Sequence, residues 1–249
     1  MLWIYGFFMA WGMFLSIPCP IHIWNESARG QQLACFPFIG LIIGGIWVLL
    51  LFLLNMIQCP HTISAVLLSS TPLLLSGFIH IDGFMDVCDA VMSRRDLETR
   101  QRILKDSHCG AFAVICVVLY LLCSWSLLLS RRLDIADMIP LAMIPVASRS
   151  CASLAVLTLR PMRTSQYTNI GRDRRVSFII VPSLAFIASV AASVLICGLH
   201  GIAPAAAGVG YWLFAAHAFR QLNGMNGDVS GFALTLGELV GLATLILVR

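Results

Sequence analysis

Long apolar stretches alternate with short polar segments along almost the whole chain. Stretches close to the roughly 20 residues that a helix needs to cross a bilayer lie at approximately 36–57, 62–81, 110–130, 136–159, 177–199, 201–219 and 232–248. A shorter stretch, 1–17, ends at Pro18 and Pro20, because proline interrupts a helix. Lipid admits only helices or a closed barrel, and these stretches are too long for barrel strands. The pattern therefore predicts an all-α fold, a polytopic integral membrane helical bundle of seven to eight transmembrane helices.

The composition supports this reading and excludes several classes of protein. Of 249 residues, 59% are hydrophobic and 11% are charged, whereas a soluble domain carries about 25% charged residues. Intrinsic disorder, a secreted disulfide scaffold and a nucleic-acid partner are excluded on this ground. Because no polar segment is long enough for a separate soluble domain, we expect residues 1–249 to form a single transmembrane domain in a lipid bilayer.

The basic residues indicate an orientation. Twelve of the sixteen Lys and Arg residues fall in the alternate polar stretches 18–35, 82–109, 160–176 and 220–231, which eight spans would place on one side. The other side holds only Arg131, Arg132 and Arg249. Because cytoplasmic loops carry the excess of basic residues, those four stretches are predicted to be cytoplasmic. Nine of the twelve acidic residues lie there too, which disfavours a transporter with its polar groups near the midplane.

Three aspartates stand out within an apolar segment. Asp82, Asp86 and Asp89 are spaced i, i+4, i+7, which places them within roughly a 60° arc of one helix face. A carboxylate at the bilayer centre costs on the order of 2.5–3.5 kcal/mol, and a hard divalent cation such as Mg²⁺ would offset that cost. The alternative is a solvated helix end that pairs with the arginines following it. The spacing leaves both interpretations open.

Further polar segments flank the later apolar stretches. Lys105 could neutralise phosphate charge, and Asp106 could act as a metal ligand or a base. Between the last two spans, glycines around Asn226 and Asp228 predict a turn, or a close approach of backbone to phosphate with Asp228 completing a metal site. The basic clusters at 160–163 and 171–175 are either topology determinants or contacts for anionic groups, including an anionic substrate.

One carboxylate falls inside the last apolar stretch. Glu238 is either a functional intramembrane carboxylate or the partner of Arg149 or His217. The sequence does not choose between these alternatives.

Two of these segments together carry a specific resemblance. The chain reads His80-Ile-Asp82-Gly83-Phe-Met-Asp86-Val-Cys-Asp89, and then Ile103-Leu-Lys105-Asp106-Ser107-His-Cys-Gly110-Ala-Phe112. This resembles the signature of the cobalamin synthase (adenosylcobinamide-GDP ribazoletransferase) family, approximately H-L-D-G-L-A-D-T-A-D-G followed by M-K-D-S-x-x-G-A-F. Weaker matches, Phe36–Gly40, Arg160-Pro161 and Gly227-Asp228, follow in the right order. Phe78, Ala90 and Ser93-Arg94 replace glycines of that pattern, which changes the loops rather than the carboxylates.

The resemblance implies an activity and a set of roles. It implies a Mg²⁺-dependent transferase in the inner membrane of a prokaryote, with its active site facing the cytoplasm. Such an enzyme joins α-ribazole or its 5′-phosphate to adenosylcobinamide-GDP and releases GMP, a late step of cobalamin biosynthesis; a homo-oligomer remains open. The implied metal ligands are Asp82, Asp86 and Asp89, the candidate bases are Asp89, Asp106 and Asp228, and the substrate-binding residues are Lys105, Ser107, Asn226 and Arg160.

The sequence leaves two alternative functions open. A CDP-alcohol phosphotransferase that makes phospholipid also uses spaced aspartates and Mg²⁺. Its motif has D-G-x-x-A-R at the second aspartate, whereas here Asp86 is followed by Val-Cys-Asp89 with no such Ala-Arg. A divalent-cation transporter could use the aspartates as its pathway. Their place at a helix end beside a basic loop argues against it.

Overall fold

The computed structural model describes residues 1–162 and 176–248. Within these ranges the chain forms helices and one isolated backbone bridge, between Pro161 and Met225. The helices are α1 (Leu2–Phe14), α2 (Arg29–Ala34), α3 (Phe36–Met56), α4 (His61–Leu75), α5 (Ile79–Met92), α6 (Leu97–Ile103), α7 (Ala111–Ser130), α8 (Met138–Thr158), α9 (Val176–Cys197), α10 (Ala203–Leu222) and α11 (Gly227–Leu247). The predicted all-α fold is confirmed.

The predicted count of seven to eight spans is not confirmed. In the described ranges five helical stretches are long and apolar enough to cross a membrane, or six if α4 and α5 form one bent span. With 13 residues, α1 measures about 20 Å, too short to cross a hydrocarbon core of about 30 Å. The two predicted spans 177–199 and 201–219 correspond to α9 and α10, which the 3₁₀ helix Gly198–Ile202 joins within the helical stretch Val176–Leu222. A Cβ on Gly201 would lie 2.1 Å from the Ser193 carbonyl oxygen, so the chain turns back at this joint.

Glycines set the closest helix contacts. A Cβ on Gly40 or Gly44 of α3 would lie 2.4 Å or 2.1 Å from carbonyl oxygens of α8. On α11, Gly237 and Gly241 approach the backbone of α10 in the same way, at 2.9 Å and 3.2 Å from carbonyl oxygens. Both pairs have the small-x-x-x-small spacing that lets membrane helices pack backbone against backbone. This packing buries most of α8 and α11 at the centre of the bundle.

A sharp bend separates α4 from α5. The two helices meet at 89°, across Gly77 and Phe78, which both have positive φ (60° and 63°). The predicted span 62–81 is therefore interrupted at 76–78, because the left-handed backbone there ends one helix before the next begins. As a result α5 does not continue the direction of α4, and its aspartates lie toward the end of the bundle.

Polar segments gather at the two ends of the bundle. At one end Arg100 and Gln101 of α6 hydrogen-bond Gln221 and the Leu222 carbonyl of α10. Backbone hydrogen bonds join the chain segments there as well: the Met162 N–H donates to the Met225 carbonyl at 2.8 Å, and the Met225 N–H donates to the Arg160 carbonyl at 3.0 Å. Three of the four stretches predicted to share one side, 82–109, 160–176 and 220–231, thus meet at one end through their described residues.

Candidate active site

Four aspartates share the end of the bundle where α5 meets α11. Asp82 is exposed, while Asp86, Asp89 and Asp228 are partly buried. The carboxylates of Asp82, Asp89 and Asp228 all act electrostatically on Asp86, so the four form one negatively charged group. In the described part of the chain no Lys, Arg or His nitrogen lies within 4.0 Å of any of them. The cluster is therefore uncompensated by the protein side chains that the structure describes.

Small residues bring α5 and α11 this close. A Cβ on Gly83 would lie 2.8 Å from the Asp228 Cα, and a Cβ on Gly231 would lie 3.0 Å from the His80 carbonyl oxygen. The Thr235 hydroxyl donates to that same carbonyl at 3.3 Å. Along this contact the residue numbers of α5 fall as those of α11 rise, so the two helices are antiparallel. This register sets Asp82 and Asp228 level with each other.

The start of α11 holds Asp228 in a defined position. Asn226 caps the helix, its side-chain oxygen accepting the Val229 N–H at 2.9 Å, and its Nδ2 donates to the Asp228 carboxylate at 2.7 Å. Arg160 reaches the same loop, where its guanidinium donates to the carbonyl and side-chain oxygens of Asn223. Asn226 and Arg160, both predicted to bind substrate, thus support the loop that carries Asp228.

Asp89 has a different set of partners. Its two oxygens accept the backbone N–H groups of Gly110 at 2.6 Å and Ala113 at 2.9 Å, so this carboxylate caps the N-terminus of α7. A Cβ on Gly110 would lie 2.5 Å from the carboxylate, which explains why glycine stands there. The contact ties the segment before α7 to α5.

The Lys-Asp-Ser segment lies next to this tie but makes no direct contact with the cluster. Lys105, Asp106 and Ser107 are exposed, and no hydrogen bond or ion pair between described residues joins them to the four aspartates. The Asp106 carboxylate accepts from the His108 ring at 2.6 Å and from its N–H at 3.0 Å. These hydrogen bonds lower the pKa of Asp106. The basic residues at 163 and 171–175 lie outside the described residues.

Three cavities meet at Asp82. One of ≈ 130 Å³ is lined by His80, Asp82, Asp228 and residues of α1, α3 and α8. A second, of ≈ 570 Å³, runs between α4, α5 and α7, and a third, of ≈ 460 Å³, borders the α4–α5 bend. Asp82 lines all three, so it is the group that a ligand entering from any of them would reach.

The carboxylates of this site bear on the predicted Mg²⁺. Among the described residues, no three His, Cys, Asp or Glu side chains converge as a ready metal site. Mg²⁺ is commonly held by one or two carboxylates together with substrate phosphates and water, and Asp82 and Asp86 supply two carboxylates of that kind beside a cavity. The all-oxygen, uncompensated donor set fits this mode, and Mg²⁺ stays a prediction.

A buried ion pair lies behind the site. Arg149 of α8 donates to Glu238 of α11 at 2.5 Å, so of the two partners considered from the sequence the structure selects Arg149. The Arg149 guanidinium also lies 5.7 Å from the ring centre of Phe36. Phe36 and Phe14 flank the buried His80 ring, with centroids 5.7 Å and 6.0 Å away. The sequence did not predict this cluster of Phe14, Phe36 and His80, because its members come from three separate helices.

Comparisons with known proteins agree with the resemblance. The family model described as cobalamin-5-phosphate synthase matches residues 6–246. Adenosylcobinamide-GDP ribazoletransferases from Clostridium botulinum (strain Alaska E43 / Type E3) and Clostridium perfringens (strain 13 / Type A) are 34% and 36% identical, each over 95% of both chains. No solved structure matches this chain. The chain belongs to the cobalamin-5-phosphate synthase family.

Proposed function

We propose that this member of the cobalamin-5-phosphate synthase family is an adenosylcobinamide-GDP ribazoletransferase. Relatives bearing that name are similar to it over 95% of its length. The observation that carries the proposal is the aspartate cluster, without a protein cation within the described residues, at a cavity that includes the start of α11. A site of this charge suits a diphosphate substrate that arrives with Mg²⁺. Nothing in the described residues favours the phospholipid enzyme or the transporter.

The reaction is a phosphoryl-centred substitution. A ribose hydroxyl oxygen of α-ribazole or its 5′-phosphate forms a bond to the phosphorus on the cobinamide side of the diphosphate. The bond from that phosphorus to the bridging oxygen breaks, and the bridging oxygen leaves with GMP. The hydroxyl proton passes to a base of the protein. Positioning the hydroxyl in line with the departing oxygen is the main task of such a site.

We assign residues to these roles from their contacts. Asp82 and Asp86 are the proposed Mg²⁺ ligands, and a bound Mg²⁺ would neutralise diphosphate charge and stabilise the departing GMP. Asp228, which Asn226 orients at 2.7 Å, is the proposed base. Because Asp89 gives both oxygens to backbone amides, we assign it to positioning the loop before α7. Lys105 and Ser107 stand exposed on that loop, available to contact substrate phosphate.

The proposed location is the inner membrane of a prokaryote, with the site facing the cytoplasm. The support is the concentration of basic residues in the stretches that meet at the site end of the bundle, as the positive-inside rule requires. At the opposite end, Arg131 is neutralised by the buried Asp137 at 2.7 Å.

The test is GMP release by the purified protein in proteoliposomes. We expect release from adenosylcobinamide-GDP and α-ribazole 5′-phosphate with Mg²⁺, and none with EDTA. Asp82→Asn is expected to lower the rate at least about 100-fold, the scale seen on loss of one electrostatic group at a reaction centre. Glu98→Gln, the same change at an exposed carboxylate on α6, is the matched control and should leave the rate unchanged. A folded wild-type protein that releases no GMP would refute the proposed function.

A further inference from the structure

An apolar groove leads from the outer surface of the bundle to the aspartate cluster. This lateral groove is the ≈ 570 Å³ cavity between α4, α5 and α7, lined chiefly by Leu73, Leu74, Phe78, Met85, Val117 and Leu121. Its volume falls within the range of about 300–1,000 Å³ that small-molecule sites occupy. Among its lining residues in the described ranges, Asp82 is the one ionisable side chain. The groove is thus shaped for an apolar body that presents a polar group to Asp82.

Phe78 stands at the mouth of this groove in an unusual backbone conformation. Its φ is 63°, in the left-handed region, which costs a residue other than glycine about 1–2 kcal/mol. Its side chain is 52% exposed, so burial in the core does not offset that cost. Strain of this kind concentrates where a side chain serves a ligand. The strain at this position therefore indicates that the Phe78 ring contacts a ligand.

The ≈ 130 Å³ cavity and the lateral groove, which meet at Asp82, differ in their charged lining residues. The ≈ 130 Å³ cavity has Asp228 and the start of α11 beside Asp82, the surroundings proposed above for the diphosphate and its cation. The groove has a single carboxylate, Asp82, and no basic side chain among its lining residues. It therefore lacks both a second carboxylate to hold a cation and a protein cation to meet a phosphate. A neutral aromatic ring needs neither and gains from apolar contact.

We propose that the lateral groove binds the aromatic base of the ribazole substrate. Phe78 stacks on that base at the mouth, and the ribose hydroxyls reach the aspartate cluster at Asp82. This inference rests on the proposed function and adds the subsite of its second substrate. The reacting hydroxyl then enters from the groove while the diphosphate enters from the polar cavity, so the two substrates meet at one carboxylate.

Two substitutions test the groove from opposite walls. Phe78→Gly is expected to raise the KM for α-ribazole 5′-phosphate roughly 2- to 10-fold, the factor for loss of one aromatic contact. Val117→Trp fills the groove from α7 and should raise that KM at least about tenfold. In both variants the KM for adenosylcobinamide-GDP should stay within about twofold, since that substrate uses the other cavity.

Each variant has a matched control. Gln58→Gly relieves the same left-handed strain (φ 51°) at the α3–α4 junction, outside the groove. Leu119→Trp adds the same bulk to α7 on a side chain that is 55% exposed and lines no part of the groove. Neither control should change the KM for α-ribazole 5′-phosphate. Monodisperse elution in detergent shows that each variant is folded, and Leu121→Trp replaces Val117→Trp if that variant is not.

The outcomes separate the two proposals. An unchanged KM for α-ribazole 5′-phosphate in both groove variants, with GMP still released, overturns the groove assignment and leaves the proposed function standing. An equal rise in both KM values also overturns it. Activity of Val117→Trp that recovers with shorter lipid chains, at unchanged KM, identifies the occupant as an acyl chain and overturns it too. A wild-type protein without GMP release overturns the proposed function and this inference together.

Discussion

The buried pair of Arg149 and Glu238 offers the sharpest test of how charge stabilises this bundle. Arg149 is 1% exposed and Glu238 is 7% exposed, and the Arg149 Nη1 lies 2.5 Å from the Glu238 Oε1. The Ser148 hydroxyl donates to the same oxygen at 2.8 Å. Within the described residues no second carboxylate pairs with Arg149, and its Nε has no hydrogen-bond partner. Among the described residues Glu238 is thus the one counter-charge of Arg149, whose other partners, the Pro145 carbonyl at 3.4 Å and the Phe36 ring, are neutral.

Removing only the negative charge isolates this dependence. Glu238→Gln keeps an oxygen that can accept from Arg149 and Ser148, but leaves Arg149 charged and buried. Breaking a buried ion pair from one side costs about 3–5 kcal/mol. Because the hydrogen bonds are retained, we expect the lower end, a loss of about 3 kcal/mol in the free energy of unfolding. The double change Arg149→Met with Glu238→Leu removes both charges and should restore stability to within about 1 kcal/mol of the wild type or above it.

The assay is reversible unfolding in mixed micelles, followed by helical circular dichroism as the denaturing detergent is increased. The control is Glu26→Gln in the surface pair with Arg29, whose nitrogen lies 2.8 Å from the carboxylate; there the loss should not exceed about 1 kcal/mol. A Glu238→Gln variant as stable as the wild type would refute the buried-charge reasoning. A double variant as unstable as Glu238→Gln would show that packing, rather than charge, dominates.

Three further predictions concern the site and the helix contacts. Gly110→Ala displaces the carboxylate that caps α7, because the new Cβ lies 2.5 Å from it; we expect a loss of about 1.5–3 kcal/mol in the same unfolding assay. The His108 hydrogen bonds lower the pKa of Asp106, so their contribution is present above the usual Asp range and lost as pH falls through the lowered pKa; His108→Ala should raise that pKa toward its usual value in a carboxyl NMR titration. Gly44→Leu drives a side chain into an α8 carbonyl oxygen at 2.1 Å and should abolish monodisperse elution, whereas Gly45→Leu, with nothing within 4 Å, should not; equal behaviour of the two would contradict the packing argument.

Much of the fold could be read from the apolar pattern, because helices that cross lipid must be long and hydrophobic. The predicted stretches 36–57, 110–130, 136–159 and 232–248 correspond to α3, α7, α8 and α11. The break at Gly77 and Phe78 could not be read in this way. Its cause is a left-handed backbone at Phe78, and phenylalanine gives no local signal for that conformation. The apolar pattern continues across the break, so one span was predicted where two helices meet at 89°.

The site was predictable in its residue types and less so in its contacts. Spacing along α5 placed Asp82, Asp86 and Asp89 on one face, and the motif order brought Asp228 to them. The partners of Asp89 are backbone N–H groups at Gly110 and Ala113, and backbone donors leave no trace in a sequence. Two possible partners for Glu238 were equally acceptable before the structure, because helix register decides which one it meets.

The opposite end of the bundle was not foreseen for the same reason. Buried Asp137 accepts from Arg131 and lies 2.7 Å from the His200 Nε2, and the His200 Nδ1 faces the Val248 carbonyl at 2.8 Å. These groups come from three separate parts of the chain, 131–137, 200 and 248. Each looks like an ordinary loop residue until the helices bring them together.

The mouth of the lateral groove has a consequence for how reaction rates must be measured. Leu74 and Phe78, at 54% and 52% exposure, open the groove sideways, toward the acyl chains that surround the bundle. Acyl chains there compete with the ribazole base for the same apolar walls. The 5′-phosphate keeps the ribazole substrate in water, so only its competitor belongs to the membrane. The apparent KM for α-ribazole 5′-phosphate is therefore expected to change with acyl-chain length, and rates are best compared in a single lipid.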